Sequence, residues 1–315
     1  DQVKSDKLQG EIDQAKKAGS SLARPVLHSL ASGGLAVTAS GRRVQFFDAS
    51  GRALPGRPTS LERGGGVNSD PMLSWGLQQI AFSANALCLM TVENRLSPAL
   101  QAFDPESANN CWLRWWRRTE GGQYVPDSVA NNPHSANVTA ALAHPYQENR
   151  FATVSEDGFF KIWDLLPIAG LAGADGKIDE SLTATMTTHC WQQIASGSWR
   201  SRPMLCGCFG ADGSALATGV PGFVLLWDAE EGKPLQQLAL EAWLDKPEQL
   251  CSVVACERFL LLASVRGKGK EEVLVWDLAS LEIVARVDLG AMLKGTARCA
   301  IRCVAPATGS AGGGP

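Results

Sequence analysis

His134, Ser155 and Asp157 stand close together in the chain and carry the three groups of a nucleophilic relay: imidazole, hydroxyl and carboxylate. In a hydrolase the imidazole takes the hydroxyl proton while the carboxylate orients the ring. The surroundings of Ser155 speak against that use. Its neighbours read Thr153-Val154-Ser155-Glu156-Asp157, without the flanking glycines of a Gly-x-Ser-x-Gly elbow. A second group is the run Trp112-Leu113-Arg114-Trp115-Trp116-Arg117-Arg118. In a strand, Trp112, Arg114, Trp116 and Arg118 share one face, and Leu113, Trp115 and Arg117 the other. Rings interleaved with guanidiniums suit single-stranded RNA, through stacking and phosphate contact. They suit a protein hot spot equally well, and also a packed strand whose arginines flank the rings and reach solvent. All three uses fit the residues.

Little else is shaped for catalysis or for a cofactor. No Gly-x-x-x-x-Gly-Lys-Ser/Thr loop is present to cradle a phosphate. His28, His144 and His189 are isolated and lack metal-ligand spacing. The nine cysteines are an odd number at irregular intervals. Cys206 and Cys208 fall on one face of a strand, Cys299 and Cys303 are separate from them, and no pair of Cys-x-x-Cys motifs occurs. Buried free thiols in a reducing compartment are therefore expected, not a zinc site. The chain reads as a non-enzyme with no catalytic residue, metal or cofactor. Its formal net charge of −3 supplies no global field toward nucleic acid, so any RNA contact is local. Arg42, Arg43, Arg57, Arg63, Arg200 and Arg202 sit in or near turns and read as solvated charges. No signal peptide and no apolar run long enough to span a bilayer is found.

The elements that must position these groups are strands. With 45% hydrophobic residues among 315, the chain can bury a large core, while 32 glycines, 16 prolines and scarce helical patterns point to an all-β chain rich in turns. The clearest stretch is 138–165. Val138 to Ala143 and Arg150 to Ser155 are strands, Glu156-Asp157-Gly158 is a hairpin turn, and Phe159 to Trp163 is an aromatic and β-branched strand ending in Trp163-Asp164. The same aromatic–acid ending recurs at Phe47-Asp48, Trp227-Asp228 and Trp276-Asp277, with Trp116-Arg117 in the corresponding place of one further unit. The pattern resembles the WD repeat, the four-stranded blade of a β-propeller. Five units are expected, at about 25–56, 71–130, 134–196, 203–240 and 250–289, with a sixth begun at Ala297 to Val304. The propeller spans residues 23–305 on this reading, after a polar linker at 1–22 and before a flexible tail at 306–315. Residues 51–70 read as a mobile connection, and Glu93 to Asn110 as an insert projecting from the rim. An incomplete ring would leave one blade face open, so missing closing-blade residues or a partner chain are expected. The start at Asp1 and the glycine-rich end point to a fragment of a longer chain.

The resemblance implies a role for the first group. In WD repeats a His–Ser/Thr–Asp–Trp hydrogen-bond network ties the strands of a blade together. It places His134, Ser155, Asp157 and Trp163 in a structural network and not in a reactive centre. Order and spacing of further stretches are similar to the second propeller of the WD repeat-containing protein 75 family, the counterpart of U3 small nucleolar RNA-associated protein 17. These are Arg42-Arg43-Val44-Gln45-Phe46-Phe47-Asp48, the long insert before Trp112, Asn132-Pro133-His134, the unit ending in Trp163, His189-Cys190-Trp191 through Arg200, and Val287-Asp288-Leu289 through Gly295. Departures are Pro221 at the turn-aspartate position of the fourth unit and the absent closing blade. The resemblance implies a non-catalytic scaffold of the UTP-A (t-UTP) subcomplex of the small-subunit processome. It would be nucleolar, act in early 18S pre-rRNA processing and link to RNA polymerase I transcription. Implied partners are other UTP-A proteins, the U3 snoRNP and the pre-rRNA 5′ external transcribed spacer, in a hetero-oligomeric assembly without a membrane. The alternative is an adaptor in another complex, such as a ubiquitin-ligase substrate receptor or a chromatin-associated scaffold.

Overall fold

A computed structural model describes residues 27–29, 35–39, 43–47, 52, 59–60, 74–96, 111–168, 189–240, 250–257, 260–267 and 270–288. The described residues form twenty strands in five four-stranded antiparallel sheets, and no helix occurs among them. Blade 1 contains β1 (Leu27–Ser29), β2 (Leu35–Ala39), β3 (Arg43–Phe47) and β4 (Thr59–Ser60). Blade 2 contains β5 (Ser74–Phe82), β6 (Cys88–Leu96), β7 (Cys111–Arg118) and β8 (Tyr124–Asn131). Blade 3 contains β9 (Val138–Ala143), β10 (Arg150–Ser155), β11 (Phe159–Pro167) and β12 (His189–Ser198). Blade 4 contains β13 (Cys206–Phe209), β14 (Ala215–Val220), β15 (Phe223–Asp228) and β16 (Pro234–Ala239). Blade 5 contains β17 (Leu250–Glu257), β18 (Leu260–Gly267), β19 (Lys270–Asp277) and β20 (Glu282–Asp288). In every sheet each strand pairs with the next in sequence.

The first strands of the blades, β1, β5, β9, β13 and β17, pack side by side in chain order. Sheet faces are therefore buried between neighbours, as a propeller requires. Trp115, Val92 and Met90 of blade 2 meet Phe151, Val138 and Trp163 of blade 3. Phe160 and Ile162 of blade 3 meet Leu216 and Trp227 of blade 4. Val224 and Leu238 of blade 4 meet Leu261, Leu274 and Trp276 of blade 5. Each large side chain removed from water contributes roughly 1.5–3 kcal/mol, so these junctions hold neighbouring blades together.

Several expectations shift. Residues 51–70 are not wholly connection, because Thr59 and Ser60 pair with Val44 and Arg43 as the fourth strand of blade 1. Ala86 belongs to a turn, at φ 56°, and not to the second strand of blade 2. Glu93 lies within β6, paired with Trp112, so the insert is shorter than the sequence pattern indicates. Gly267 pairs with Lys270, which makes the charged hairpin of blade 5 a tight two-strand end. The linker at 1–22, the sixth unit at 297–304 and the tail at 306–315 lie outside the described residues.

In blades 2 to 5 the pairing of the third strand with the fourth shifts register at one place: Trp115/Trp116, Ile162/Trp163, Leu226/Trp227 and Val275/Trp276. A bulge there sharpens the twist and re-aims the tryptophan. In blade 2 the extra residue is Asp127 on β8, while β7 pairs regularly with β6. Trp115 and Trp116 therefore point to opposite faces, and both are buried because both faces of this inner strand are covered.

Candidate functional site

The best-defined polar constellation lies in blade 3. Pro133 and His134 precede β9, and the His134 ring is buried against β10. Its Nδ1 lies 2.9 Å from Asp157 Oδ2, and its Nε2 lies 2.8 Å from Thr153 Oγ1. Trp163 Nε1 donates to the same Thr153 oxygen at 3.1 Å. The tautomer follows from the donors. A carboxylate only accepts, so Nδ1 carries the hydrogen, and Nε2 accepts from the threonine hydroxyl. One directed chain results: indole to hydroxyl to imidazole to carboxylate. The Asp157 carboxylate also accepts from the backbone N–H of Ser135 at 3.1 Å and of Phe159 at 3.0 Å. Burial works against its charge, but the His134 hydrogen bond and these amides hold it below the usual carboxylate value.

Ser155 is not the hydroxyl of this network. Thr153, two residues earlier on the same face of β10, takes that place. The register explains the substitution: Trp163 stands opposite Phe151, and its indole reaches diagonally to Thr153. Ser155 is one step too near the turn; it accepts from Asp157 N at 3.2 Å and donates to Ala136 O at 3.4 Å. The missed threonine left a signal in three blades. Trp116 Nε1 donates to Thr91 at 3.0 Å and Trp227 Nε1 to Thr218 at 2.7 Å, and each threonine is two residues past the one opposite its tryptophan. In blade 5 that position is Ala263, which has no hydroxyl.

Thr153, His134 and Asp157 have the connectivity of a hydrolytic triad, but not its access. Thr153 is 0% exposed, and its oxygen already accepts the Trp163 hydrogen bond. No substrate carbonyl can reach it without opening the blade. The arrangement does structural work: it ties the segment before β9, the turn after β10 and the middle of β11 to one another.

The Trp/Arg strand is also turned inward. Trp115 and Trp116 are each 1% exposed. Trp115 stacks on Trp191 of blade 3 at 5.2 Å with planes 6° apart, and tilts against Trp163 at 5.5 Å. Trp116 packs with Ile80, Phe82 and Leu89 on the other face of blade 2. Neither ring is offered to an RNA base or a protein partner, which corrects that use of the two. Trp112 is half-buried, with Arg114 lying 6.0 Å from its ring and 5.6 Å from that of Trp116. Arg114 faces the buried Glu93 at 3.4 Å. Arg117 and Arg118 alone in this strand are exposed, and Arg117 Nη2 lies 3.0 Å from Asp127 Oδ1. Asp127 accepts from Trp191 Nε1 at 3.2 Å as well, so it joins blade 2 to blade 3.

Two more polar links join blades 3 and 4. Arg150 grips Asp164 with Nε at 3.0 Å and Nη2 at 2.8 Å, and pairs with Glu230 of the next blade through Nη1. His144 Nδ1 accepts from the amides of Tyr146 at 3.2 Å and Gln147 at 2.9 Å, which leaves Nε2 to donate to Gly213 O at 3.2 Å. Burial lowers the His144 pKa from 6.5 and favours this neutral ring. Gly213 has φ +77°, and a Cβ there would meet the His144 ring at 2.3 Å. Both backbone and neighbour therefore demand glycine. Among the described residues no group of His, Cys, Asp and Glu could hold a metal ion. Cys111 is buried, and burial pushes its thiol up to about 12, away from reactivity. Among the described residues no helix is long and apolar enough to cross a membrane.

A family model described as the second beta-propeller of WD repeat-containing protein 75 matches residues 67–302. The chain belongs to this family. Two curated relatives are WD repeat-containing protein 75 of Mus musculus, 25% identical over 221 residues, and of Homo sapiens, 25% identical over 205 residues. These alignments cover 69% and 64% of this chain but 24% and 22% of the relatives, so the chain spans about a quarter of their length. The gastrulation defective protein 1 homolog of Drosophila melanogaster is 28% identical over 113 residues, covering 36% of this chain and 15% of that protein. A chain in the crystal structure of the mitotic checkpoint complex superposes with a TM-score of 0.53 at 16% identity, over 84% of this chain and 65% of that one. That likeness concerns the fold alone. The second-propeller family thus accounts for blades 2 to 5, and its match begins after β4.

Proposed function

We propose that this chain is a non-catalytic scaffold propeller that acts in ribosome biogenesis, as a component of the UTP-A (t-UTP) subcomplex of the small-subunit processome. The observation that carries the reading is the family match over residues 67–302. The burial of the Thr153–His134–Asp157 relay supports it, since that relay is committed to holding a blade. On this reading the protein is nucleolar and works in early 18S pre-rRNA processing, with a link to RNA polymerase I transcription. Its partners are other UTP-A proteins, the U3 snoRNP and the pre-rRNA 5′ external transcribed spacer. Rigid blades suit such a role because they present rims and strand edges without reorganising on assembly, which lowers the entropic cost of binding.

The test is co-sedimentation with pre-ribosomal particles together with depletion. The tagged protein is expected in those particles, with UTP-A proteins as its dominant partners, and depletion is expected to slow 18S maturation. Absence from the particles with normal pre-rRNA processing would overturn the assignment. Ubiquitin-ligase or chromatin components as dominant partners would replace it with the adaptor reading.

A further inference from the structure

Arg200 and Arg202 lie in the connection between β12 and β13, where blade 3 passes to blade 4. Arg202 N donates to Trp199 O at 2.9 Å and closes a four-residue turn. Its two central residues, Arg200 and Ser201, both have positive φ, 51° and 52°. Two successive left-handed residues, neither a glycine, form a costly conformation, and such backbone persists where its surroundings enforce it. Here Gly158 sits directly under the turn: a Cβ on it would meet Arg202 O at 2.9 Å and Ser201 C at 3.2 Å.

The turn presents its two cations in a particular way. The Arg200 guanidinium lies 5.3 Å from the Trp199 ring, and that of Arg202 lies 5.7 Å from the Phe223 ring. Arg202 Nη1 also donates to Pro221 O at 3.1 Å. Both arginines are exposed, and among the described residues no carboxylate lies within ion-pair distance of either. Four other described arginines are neutralised: Arg114 by Glu93, Arg117 by Asp127, Arg150 by Asp164 and Glu230, Arg286 by Glu272. The exposed Arg118 has no such carboxylate among the described residues but stands singly, whereas Arg200 and Arg202 share one turn. Beside the turn, Phe159 pairs with Ser198 and is 42% exposed. A guanidinium stacked on a ring loses little freedom on binding and keeps its N–H edges for a two-oxygen acceptor.

We propose that this rim between blades 3 and 4 is a docking site for an acidic segment of a partner protein. Asp or Glu carboxylates engage Arg200 and Arg202, and an apolar side chain lies against Phe159. Charge complementarity selects this occupant, since a chain of net charge −3 leaves these two cations uncompensated at one place. A nucleic-acid strand fits less well. The Trp199 and Phe223 rings each hold a guanidinium and leave one exposed ring for a base, and two cations make a short phosphate track. The proposal rests on the scaffold reading only for the existence of a protein partner.

The test is fluorescence anisotropy of the whole chain with a labelled acidic peptide, Asp-Glu-Leu-Asp-Glu, beside its Asn-Gln-Leu-Asn-Gln counterpart and a single-stranded 12-nucleotide RNA. Saturable binding of the acidic peptide is expected, weakening as salt is added, with none by the neutral one. Arg200→Glu and Arg202→Glu are each expected to weaken it about tenfold or more, and Phe159→Ala by about threefold. If Arg202→Glu also lowers the melting temperature through the lost Pro221 bond, Arg200→Glu decides alone, since that side chain makes no hydrogen bond into the fold. Equal binding of the two peptides, binding unaltered by Arg200→Glu, or tighter RNA binding lost in the same variant would each overturn the proposal. None of these outcomes bears on co-sedimentation with pre-ribosomes, so the two readings fail separately.

Discussion

Arg114, Trp115, Trp116 and Arg117 on β7 and Trp199, Arg200 and Arg202 after β12 are the same residue types at similar density. Strand β7 runs through the middle of a sheet, so its rings fill the packed regions on both faces, Trp115 against blade 3 and Trp116 within blade 2, and Arg114 and Arg117 find carboxylates on neighbouring strands. The turn after β12 lies at the end of a sheet. Its rings are half covered, and its guanidiniums face solvent without a counter-charge among the described residues. Apart from the exposed Arg118 at its end, the conspicuous cluster is thus structural, and the inconspicuous one is left available. Residue type sets what a group can bind; position in the ladder decides whether it is free to do so.

The largest expected difference is in stability. Trp115→Ala, which removes a ring 1% exposed, is expected to destabilise by about 4 kcal/mol. Trp199→Ala, at a half-buried ring, is expected to cost about 2 kcal/mol or less. Denaturant unfolding of the two variants measures this, and equal costs would break the contrast. Next comes the relay that β7 abuts through Trp163. Thr153→Val keeps the shape but strips the hydroxyl from both His134 and Trp163, for an expected loss of about 2 kcal/mol. Ser155→Ala is expected to cost about 1 kcal/mol, and the reverse order would return Ser155 to the network.

The junction that carries the Arg200 turn at one end is held by His144 and Arg150 at the other, where the β9–β10 connection meets the β13–β14 turn through His144 and the β15–β16 turn through Arg150. Folding favours neutral His144, so below its ordinary value of 6.5 the unfolded chain binds more protons than the folded one. Stability from this group is complete above that value and declines as the pH falls below it. Melting temperatures at several values between about pH 7.5 and about pH 5 follow the decline, and His144→Gln is expected to flatten it. Asp157, held below its ordinary 3.8, adds a separate loss only at pH values under that figure. The smallest effects belong to the exposed cations. Arg117→Ala and Arg200→Glu should each change stability by about 0.5 kcal/mol or less. Only the second should alter binding of an acidic peptide, and a matching loss for Arg117→Ala would erase the distinction between the clusters.

The blades were legible because each signal is local. Alternation over Val138 to Ala143, the turn at Gly158 and the Trp-Asp endings act within a few residues, and the strands formed where those patterns lay. Short elements with weak patterns were harder. Thr59-Ser60 carries little hydrophobic signal and is a strand because β3 offers it an edge. The relay was legible in His134, Asp157 and Trp163 but not in its hydroxyl, since Thr153 and Ser155 share a face and differ only in reach from the indole.

Local patterning of side chains along the backbone thus determined an all-strand chain with repeated four-stranded units, because hydrogen-bonded ladders and tight turns are written in neighbouring residues. Only the tertiary structure decided which tryptophans face inward and which arginines are neutralised. Those outcomes depend on cover over both faces of β7 and on partners from another blade, such as Trp191 on Trp115 and Glu230 on Arg150, whose distance along the chain hides them from any local pattern.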